Sequence, residues 1–494
     1  MNLNEKGNAV ISPLGIILIV VSPLISFLLC DILNICNDKP LTTAFMRIIF
    51  AGIVCCAAYK YTNKKLTVNT IIFLIILSGI VLRIGYTVYD GWNTGRGYDE
   101  GPFNGYGHLG YIMDYALKWK LPDSNNEQFY QPPLNYFLTA IMMRIGALIN
   151  HTKNYADVLD YCEIVPCMAS CSALITIQKI FDALRINRKY QTFPLAVAAF
   201  FPSYMFMGSR MNNDSLVAMF MILSVFFTIR WYYEQKTEWI IGIALSIGLA
   251  MMSKVSGATV AFFTGPVMLI VLYKNFKQKN SLAIIKQLVL FAVICFPLGL
   301  WYPIRNYVLF GQELNYVQRL PITSVVYSGD APWYVRFFSM PIIRDLRTGI
   351  HYENQDKSIA MMITKSSVVA AFDFSNVPKF VRNTLYLLNL FIIITSLVAM
   401  LLVCLKDKQR DLFSRFSMAA LWIIIFGSFI MFNISYPYIC TADVRYIPLT
   451  TVTGISYIGM FFQMYADNAH MQKFIKATKI SIIAYCIMVI IMHT

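Results

Sequence analysis

The chain has 494 residues, of which 57% are hydrophobic and 14% are charged, and it carries a formal net charge of +15. Soluble proteins have roughly 45 to 50% apolar and about 25% charged residues, so the composition excludes a soluble globular protein. The positive charge does not indicate a nucleic-acid partner, because the basic residues lie in short clusters between apolar segments.

Apolar segments of membrane-spanning length recur along the whole chain. A helix needs about 20 mainly apolar residues to cross a bilayer. The first such segment lacks a strongly basic start and a small-residue cleavage site, so we expect it to be retained as a helix. The sequence predicts an all-α polytopic membrane protein with about 13 transmembrane helices. In chain order the predicted spans are residues 10–33, 42–59, 67–86, 162–182, 191–208, 214–232, 238–253, 256–273, 284–302, 381–405, 416–435, 445–464 and 474–492.

Basic residues divide the connecting loops into two sets. Lys and Arg are retained on the cytoplasmic side of a membrane, so loops rich in them are expected to face the cytoplasm. The two long loops, 87–161 and 303–380, then fall on the extracytoplasmic side, where we expect them to carry short surface helices. The basic connections are residues 60–65, 185–189, 274–286, 406–415 and 473–479.

Residues 132–149 are apolar but short, begin with a double proline and contain Arg144. A full span here would invert every later loop and place the basic clusters outside. We therefore predict a re-entrant or surface-lying helix.

Two adjacent acids, Asp99 and Glu100, stand near the start of the first long loop. Adjacent carboxylates beside a membrane surface suit a general base, a metal ligand or a cation site. Solvated loop acids are the simpler interpretation.

Isolated basic residues also lie at the helix ends that should be poor in them. Taken singly, each is explained as an anchor that extends its charge to the interface. Taken together, cations that converge from different helices are suited to hold a lipid phosphate. These residues are Arg210, Lys254, Arg305 and Arg445.

The cytoplasmic connections are too short for a nucleotide-binding domain, since the longest has about fifteen residues. The chain also lacks a P-loop, an H-E-x-x-H motif and a Rossmann glycine signature. An activated substrate is therefore expected to come from the membrane or from outside.

Several short motifs follow one another over roughly residues 67–450. The first outer loop contains Asp99-Glu100, His108, Leu121-Pro122 and Gln131 to Tyr136. The later motifs are Ser209-Arg210 with Asn213-Asp214, Lys254 to Gly257, Arg305-Asn306 with Phe310-Gly311, and Asp443 to Pro448. In this order they resemble the motifs of the GT-C membrane glycosyltransferases, in the branch of the protein O-mannosyltransferases and the bacterial aminoarabinose-lipid A transferases.

The resemblance implies a division of the chain. Residues 1–66 form two N-terminal transmembrane helices, and residues 67–302 form a catalytic module that includes the first outer loop. Residues 303–380 form a long extracytoplasmic loop, and residues 381–494 form the C-terminal transmembrane helices. The large soluble domains of some family members are missing.

The activity that the resemblance implies is an inverting transfer of a sugar from a polyprenyl-phosphate donor to a lipid, glycan or protein acceptor, at the extracytoplasmic face of the cytoplasmic membrane. Asp99 would act as base with Glu100 beside it. Four cations would bind the donor phosphate: Lys254, Arg305, Arg445 and Arg210. Four residues would orient the acceptor or a metal: His108, Asp214, Gln131 and Asn213. A divalent cation, Mg²⁺ or Mn²⁺, is the one cofactor this scheme accommodates.

Two other functions stay open at this point. A ligase or polymerase of lipid-linked glycans shares the membrane donor and the phosphate cations but has no need of the Asp99-Glu100 pair. A secondary transporter or flippase would place polar residues at the middle of the membrane in two related halves. The sequence has no evident internal repeat, and its notable charges gather at one face.

Overall fold

The computed structural model describes residues 11–33, 35–36, 38–89, 107–122, 127–278, 281–339, 354–369 and 377–493. Helices make up 81% of the structure, and the described residues contain no β-strand. The predicted class, an all-α polytopic membrane protein, is confirmed.

The described α-helices number eighteen, and short 3₁₀ turns precede or join several of them. They are α1 Pro13–Ile32, α2 Lys39–Thr62, α3 Val68–Tyr89, α4 Gly107–Lys118, α5 Leu134–Ile149, α6 Ile164–Ala183, α7 Arg188–Ala199, α8 Pro202–Gly208, α9 Asp214–Glu234, α10 Thr237–Ser253, α11 Ala261–Lys277, α12 Ser281–Phe310, α13 Trp333–Phe338, α14 Ile359–Ser366, α15 Lys379–Lys406, α16 Leu412–Ser435, α17 Pro448–Met464 and α18 Ala469–His493.

Ten of these helices, two of them counted with the 3₁₀ turn before them, are long and apolar enough to cross a membrane. The predicted number of thirteen is not confirmed. Two of the other three predicted spans, 238–253 and 445–464, correspond to the helices α10 and α17, which have 17 residues each. The third, 191–208, consists of the two short helices α7 and α8. The ten are α1, α2, α3, α6, α9, α11, α12, α15, α16 and α18.

The break between α7 and α8 has a local cause and a tertiary support. Pro202 is the first residue of α8, and Phe201 before it is extended, as expected because a proline disfavours the helical conformation in the preceding residue. The break frees carbonyls at the end of α7. Arg83 of α3, which is buried, donates to the carbonyls of Ala199 and Ala198 at 2.8 and 3.1 Å.

The spans are arranged around α6, of whose apolar window 83% is buried. It packs against α1, α3, α8 and α9. By contrast α1, α2 and α12 are the most exposed spans, with 11%, 17% and 17% of their windows buried. Their outward side chains are apolar, as expected for helices that face lipid.

Helix α5 covers residues that the sequence singles out as irregular. Its 16 residues extend about 24 Å at 1.5 Å per residue, which is less than the ~30 Å of the hydrocarbon core. It packs against α4 and against the 3₁₀ segment Tyr155–Glu163. A re-entrant or surface-lying placement stays a prediction.

Candidate functional site

A buried carboxylate joins two of the predicted cations. Asp214, the first residue of α9, is 4% exposed. Its Oδ1 lies 2.5 Å from Nζ of Lys254, and its Oδ2 lies 3.6 Å from Nε of Arg445. Residues from three distant parts of the sequence therefore meet at one carboxyl group.

The turn between α8 and α9 is fixed by its own amide side chains, one of which is bonded to α10. Oδ1 of Asn212 accepts a hydrogen bond from the backbone N–H of Asp214 at 3.1 Å. Nδ2 of Asn213 donates to the carbonyl of Ser253 at 2.7 Å, which ties this turn to the residue before Lys254. Side chains that bond to nearby backbone groups favour turns over helix. The polar residues of this turn therefore fix the position of Asp214.

The Lys254 turn requires a glycine. Lys254 follows α10 with an extended backbone, and its carbonyl accepts from the N–H of Gly257 at 2.8 Å. A Cβ at Gly257 would lie 2.7 Å from the backbone C and O atoms of Ala250. Because backbone atoms cannot move aside as a flexible side chain can, only glycine lets this turn pack against α10.

Arg445 is placed by Asp443, two residues before it. Oδ1 of Asp443 accepts from the backbone N–H of Arg445 at 2.9 Å, and Oδ2 lies 3.9 Å from Nε of the same residue. Burial raises the pKa of the Asp443 carboxyl, although the guanidinium groups of Arg445 and Arg210 act in the opposite direction. Arg210, which is 6% exposed, thus also influences this cluster.

A serine of α14 is hydrogen-bonded to the backbone next to Arg445. Oγ of Ser366, which is fully buried, accepts from the backbone N–H of Val444 at 2.9 Å. Lys365 of α14 forms an ion pair of 2.6 Å with Asp356, and the two side chains are 1% and 2% exposed. Neither the ion pair nor the serine was predicted, since nothing in the sequence relates these residues to Arg445.

Gln131 connects the start of α5 to the site. Its Oε1 accepts from Nδ2 of Asn213 at 3.3 Å, and its Nε2 donates to the hydroxyl of Tyr130 at 2.9 Å. His108 lies in a neighbouring buried cluster, where its Nδ1 is 2.8 Å from the hydroxyl of Tyr136. The structure therefore joins Gln131 to Asn213, and it places His108 against α5.

Arg305 has different partners. Its Nη2 donates to the carbonyl of Pro122 at 2.8 Å, and its Nη1 donates to Oδ1 of Asn306 at the same distance. In the described part of the chain, no hydrogen bond or ion pair links Arg305 directly to Asp214.

The predicted base and its neighbour, Asp99 and Glu100, lie outside the described residues. Among the residues that are described, no group of three or more His, Cys, Asp or Glu side chains is placed to hold a metal ion. The carboxylates of Asp214 and Asp443 are engaged by cations instead. We therefore derive no chemical step through a metal.

The charges of the cluster favour an anionic ligand. Three cations, Arg210, Lys254 and Arg445, accompany two carboxylates, Asp214 and Asp443, and burial favours the neutral form of Asp443. Among the residues that the structure describes, the charge of this buried cluster is therefore positive on balance, and such cations bind phosphate through short charge-assisted hydrogen bonds.

A comparison with family models identifies a related domain. Residues 131–301 match the model described as dolichyl-phosphate-mannose-protein mannosyltransferase, a family of the GT-C superfamily. The match covers about a third of the 494 residues. It includes Gln131, Asp214 and Lys254 and ends before Arg305. No curated protein matches the chain. The matched segment thus carries a glycosyltransferase family domain.

Proposed function

We propose that the protein transfers a sugar from a polyprenyl-phosphate donor to a lipid, glycan or protein acceptor at the extracytoplasmic face of the cytoplasmic membrane, with inversion at the anomeric carbon. The observation that carries this proposal is the bridge from Asp214 to Lys254 and Arg445. It supplies a buried cationic cluster in which two of these residues belong to the glycosyltransferase domain.

Lys254, Arg445 and Arg210 act on the leaving group. When the bond between the anomeric carbon and the phosphate oxygen breaks, the polyprenyl phosphate keeps the electron pair and gains negative charge. Cations fixed before the reaction stabilise this charge at little reorganisation cost, and loss of one such donor typically lowers kcat about 10² to 10³-fold. Asp214 keeps Lys254 and Arg445 in position and reduces their mutual repulsion.

The second half of the reaction is the attack of the acceptor on the sugar. An acceptor hydroxyl attacks the anomeric carbon from the side opposite the phosphate, so one C–O bond forms as the other breaks. Asp99 takes the hydroxyl proton, in the manner of the base of an inverting glycosidase, and Glu100 stands beside it. A well-placed base contributes about 10² to 10⁴ in rate.

Polar residues next to the phosphate cluster orient the acceptor. Gln131 is hydrogen-bonded to Asn213, the residue before Asp214. His108 contacts Tyr136 of α5. Arg305 of α12, which donates to the carbonyl of Pro122, is the fourth cation for the donor phosphate.

The proposal is tested with the full chain reconstituted in liposomes that contain polyprenyl-phosphate hexoses or pentoses labelled in the sugar. The expected result is release of free polyprenyl phosphate with transfer of the label to an acceptor fraction. Accumulation of label inside the vesicles without a new glycosidic bond would show a transporter. Transfer of a whole glycan from a polyprenyl-linked glycan added to the same liposomes, if it persists in Asp99→Asn, would show a ligase.

A matched pair of lysine variants separates the site from general effects of charge. Lys254→Gln is expected to lower kcat about 10² to 10³-fold. Lys357→Gln is the control, because Lys357 is similarly buried (11% against 16% exposed) and pairs with Asp330 in another part of the protein. Equal losses in the two variants would overturn the assignment of Lys254.

A further inference from the structure

The short helix α13 has two dissimilar sides. Trp333, Tyr334 and Phe338 are 69%, 58% and 69% exposed, and the ring of Trp333 packs edge-on against the rings of the other two. On the other side, Arg336 is 8% exposed and Phe337 packs against the core. An exposed aromatic cluster of this size is unusual on a surface that faces water.

The buried side fixes the level of α13 along the membrane normal. Nη2 of Arg336 donates to the carbonyl of Asn433 at 2.7 Å, and Asn433 lies in the last turn of α16. The 24 residues of α16 extend about 36 Å at 1.5 Å per residue, compared with ~30 Å for the hydrocarbon core. The last turn of α16, and α13 with it, therefore lies at the boundary between lipid chains and head groups.

The segment before α13 is attached to the same end of α16. The backbone N–H of Ser328 donates to the carbonyl of Pro437 at 2.9 Å, and that of Ile439 donates to the carbonyl of Val326 at 2.8 Å. The hydroxyl of Tyr438 donates to the carbonyl of Leu320 at 2.6 Å. These bonds make it unfavourable for the segment to move away from the boundary.

The exposed aromatic cluster is at the same level as side chains of α16 that face lipid. Met431 and Ile434, on either side of Asn433 in the sequence, are 62% and 53% exposed on a helix that spans the membrane. Both α13 and the end of α16 to which it is bonded therefore expose apolar side chains. Tryptophan and tyrosine are enriched at this depth because their rings are apolar and their polar atoms reach water.

We infer that Trp333, Tyr334 and Phe338 are inserted among phospholipids at this membrane boundary, so that α13 is an interfacial anchor for the connection between α12 and α15. The ligand is the bilayer surface itself, at the level of the glycerol groups and upper acyl chains. The anchor restrains the position of α14, because α13 and α14 are packed together.

Tryptophan fluorescence in liposomes tests this placement. The contribution of Trp333 is obtained as the difference between the wild type and Trp333→Phe, a conservative change at an exposed position. We expect the difference signal to be quenched strongly by phospholipids brominated near the glycerol end of the chain. Weaker quenching is expected from lipids brominated near the methyl end, and little from aqueous iodide.

Trp231→Phe provides the control, since Trp231 is fully buried inside the protein and its difference signal should respond to neither quencher. Two results would overturn the inference. Efficient quenching of the Trp333 signal by iodide alone would place α13 in water. Protection from both quenchers would indicate that a protein partner or a second copy of the chain covers it.

Discussion

Asp214 holds Nζ of Lys254 with one carboxylate oxygen and approaches Nε of Arg445 with the other, at 2.5 and 3.6 Å. Asp214 begins α9, Lys254 follows α10 and Arg445 precedes α17. The carboxylate is thus the point at which the ends of these helices are fixed relative to one another, and this relationship has direct consequences for substitution.

Asp214→Asn is expected to lower both activity and stability. The change leaves two buried cations without their shared carboxylate, and removal of one partner of a buried pair costs about 3 to 5 kcal/mol. The measurements are the thermal midpoint in detergent and kcat for release of polyprenyl phosphate, which should fall about 10²-fold or more.

Asp330→Asn is the control for this variant. Asp330 also pairs with a lysine, Lys357, but its side chain is 58% exposed, and exposed ion pairs contribute little. Its midpoint and kcat should stay close to those of the wild type. A midpoint for Asp214→Asn equal to that of Asp330→Asn would contradict the account of Asp214.

Ser366→Ala should displace Arg445 without removing any charge. The buried N–H of Val444 loses its acceptor, at a cost of about 1 to 3 kcal/mol. We expect kcat to fall more than KM changes, because Arg445 is still present but poorly placed, and Ser366→Thr should restore activity. Both parameters are measured with the polyprenyl-phosphate donor.

The neighbouring Ser367→Ala serves as comparison. Ser367 is equally buried and accepts a 2.7 Å hydrogen bond from Asn389 of α15, so its loss affects packing on α15 rather than Val444. The positioning role of Ser366 fails if the two alanine variants reduce kcat to the same extent.

Gly257→Ala should abolish the close approach of the Lys254 turn to α10. The added Cβ would lie 2.7 Å from backbone atoms of Ala250, so the turn has to shift and carry Lys254 with it. We expect at least a tenfold loss of kcat, since small displacements of a charged group are costly in a preorganised site. Gly265→Ala, four residues into α11, meets no atom within 4 Å and should be active.

The sequence predicts those features of the structure that are determined by neighbouring residues, and it does not predict those that depend on contacts between distant residues. Apolar length alone predicts the ten long spans, which is why the all-α membrane class is confirmed. The break at Phe201 also has a local cause, which is Pro202. The prediction nevertheless treats 191–208 as one span, because apolar residues continue on both sides of the break. The stabilisation of that break by Arg83 comes from another helix, and no local pattern indicates it.

The candidate site shows the same division. The isolated cations Lys254 and Arg445 are visible in the sequence because they stand where basic residues are rare. Asp214 is also a predicted site residue, in the role of orienting the acceptor or a metal. Its pairing with these two cations was not predicted, because it depends on how three helix ends pack. Arg305 is equally isolated in the sequence, but it is bonded to the carbonyl of Pro122 and not to Asp214. Isolation in the sequence therefore does not by itself predict the partner of a cation.

Arg83→Gln is predicted to destabilise the fold rather than to change the chemistry. Arg83 donates to the carbonyls of Ala198 and Ala199 and to Oγ of Ser170, and each buried acceptor left without a donor costs about 1 to 3 kcal/mol. The thermal midpoint should fall sharply, and protein that stays folded should retain its KM.

Arg188→Gln is the matched substitution on α7. Its side chain is 25% exposed, lies 3.8 Å from Asp182 and donates to Oδ1 of Asn69 at 3.0 Å, so the midpoint should fall less than for the fully buried Arg83. A midpoint loss for Arg83→Gln no greater than this would mean that the break between α7 and α8 does not depend on Arg83.

Asp443→Asn should change how stability depends on pH. Burial raises the pKa of Asp443 in the folded protein above the ordinary carboxyl value of about 3.9. Between these two values the folded state binds the proton more tightly than the unfolded state. The contribution of this group is therefore fully present below about pH 4 and is lost as pH rises through the folded pKa. Asparagine cannot ionise but can still cap Arg445, so the variant should gain in thermal midpoint relative to the wild type as pH rises.

Asp330→Asn is expected to show the opposite trend, which makes the pair diagnostic. The hydrogen bond from Lys357 lowers the pKa of Asp330, so the stability contributed by Asp330 is present above the ordinary carboxyl pKa and is lost as pH falls. Because this carboxylate is 58% exposed, its asparagine variant should be only slightly less stable than the wild type near neutral pH and equal to it in acid. Thermal midpoints of the three proteins across about pH 2 to 8 test both signs. Parallel curves for Asp443→Asn and the wild type would mean that Asp443 is ionised at no cost beside Arg445, and that the cluster has less positive charge to offer a phosphate.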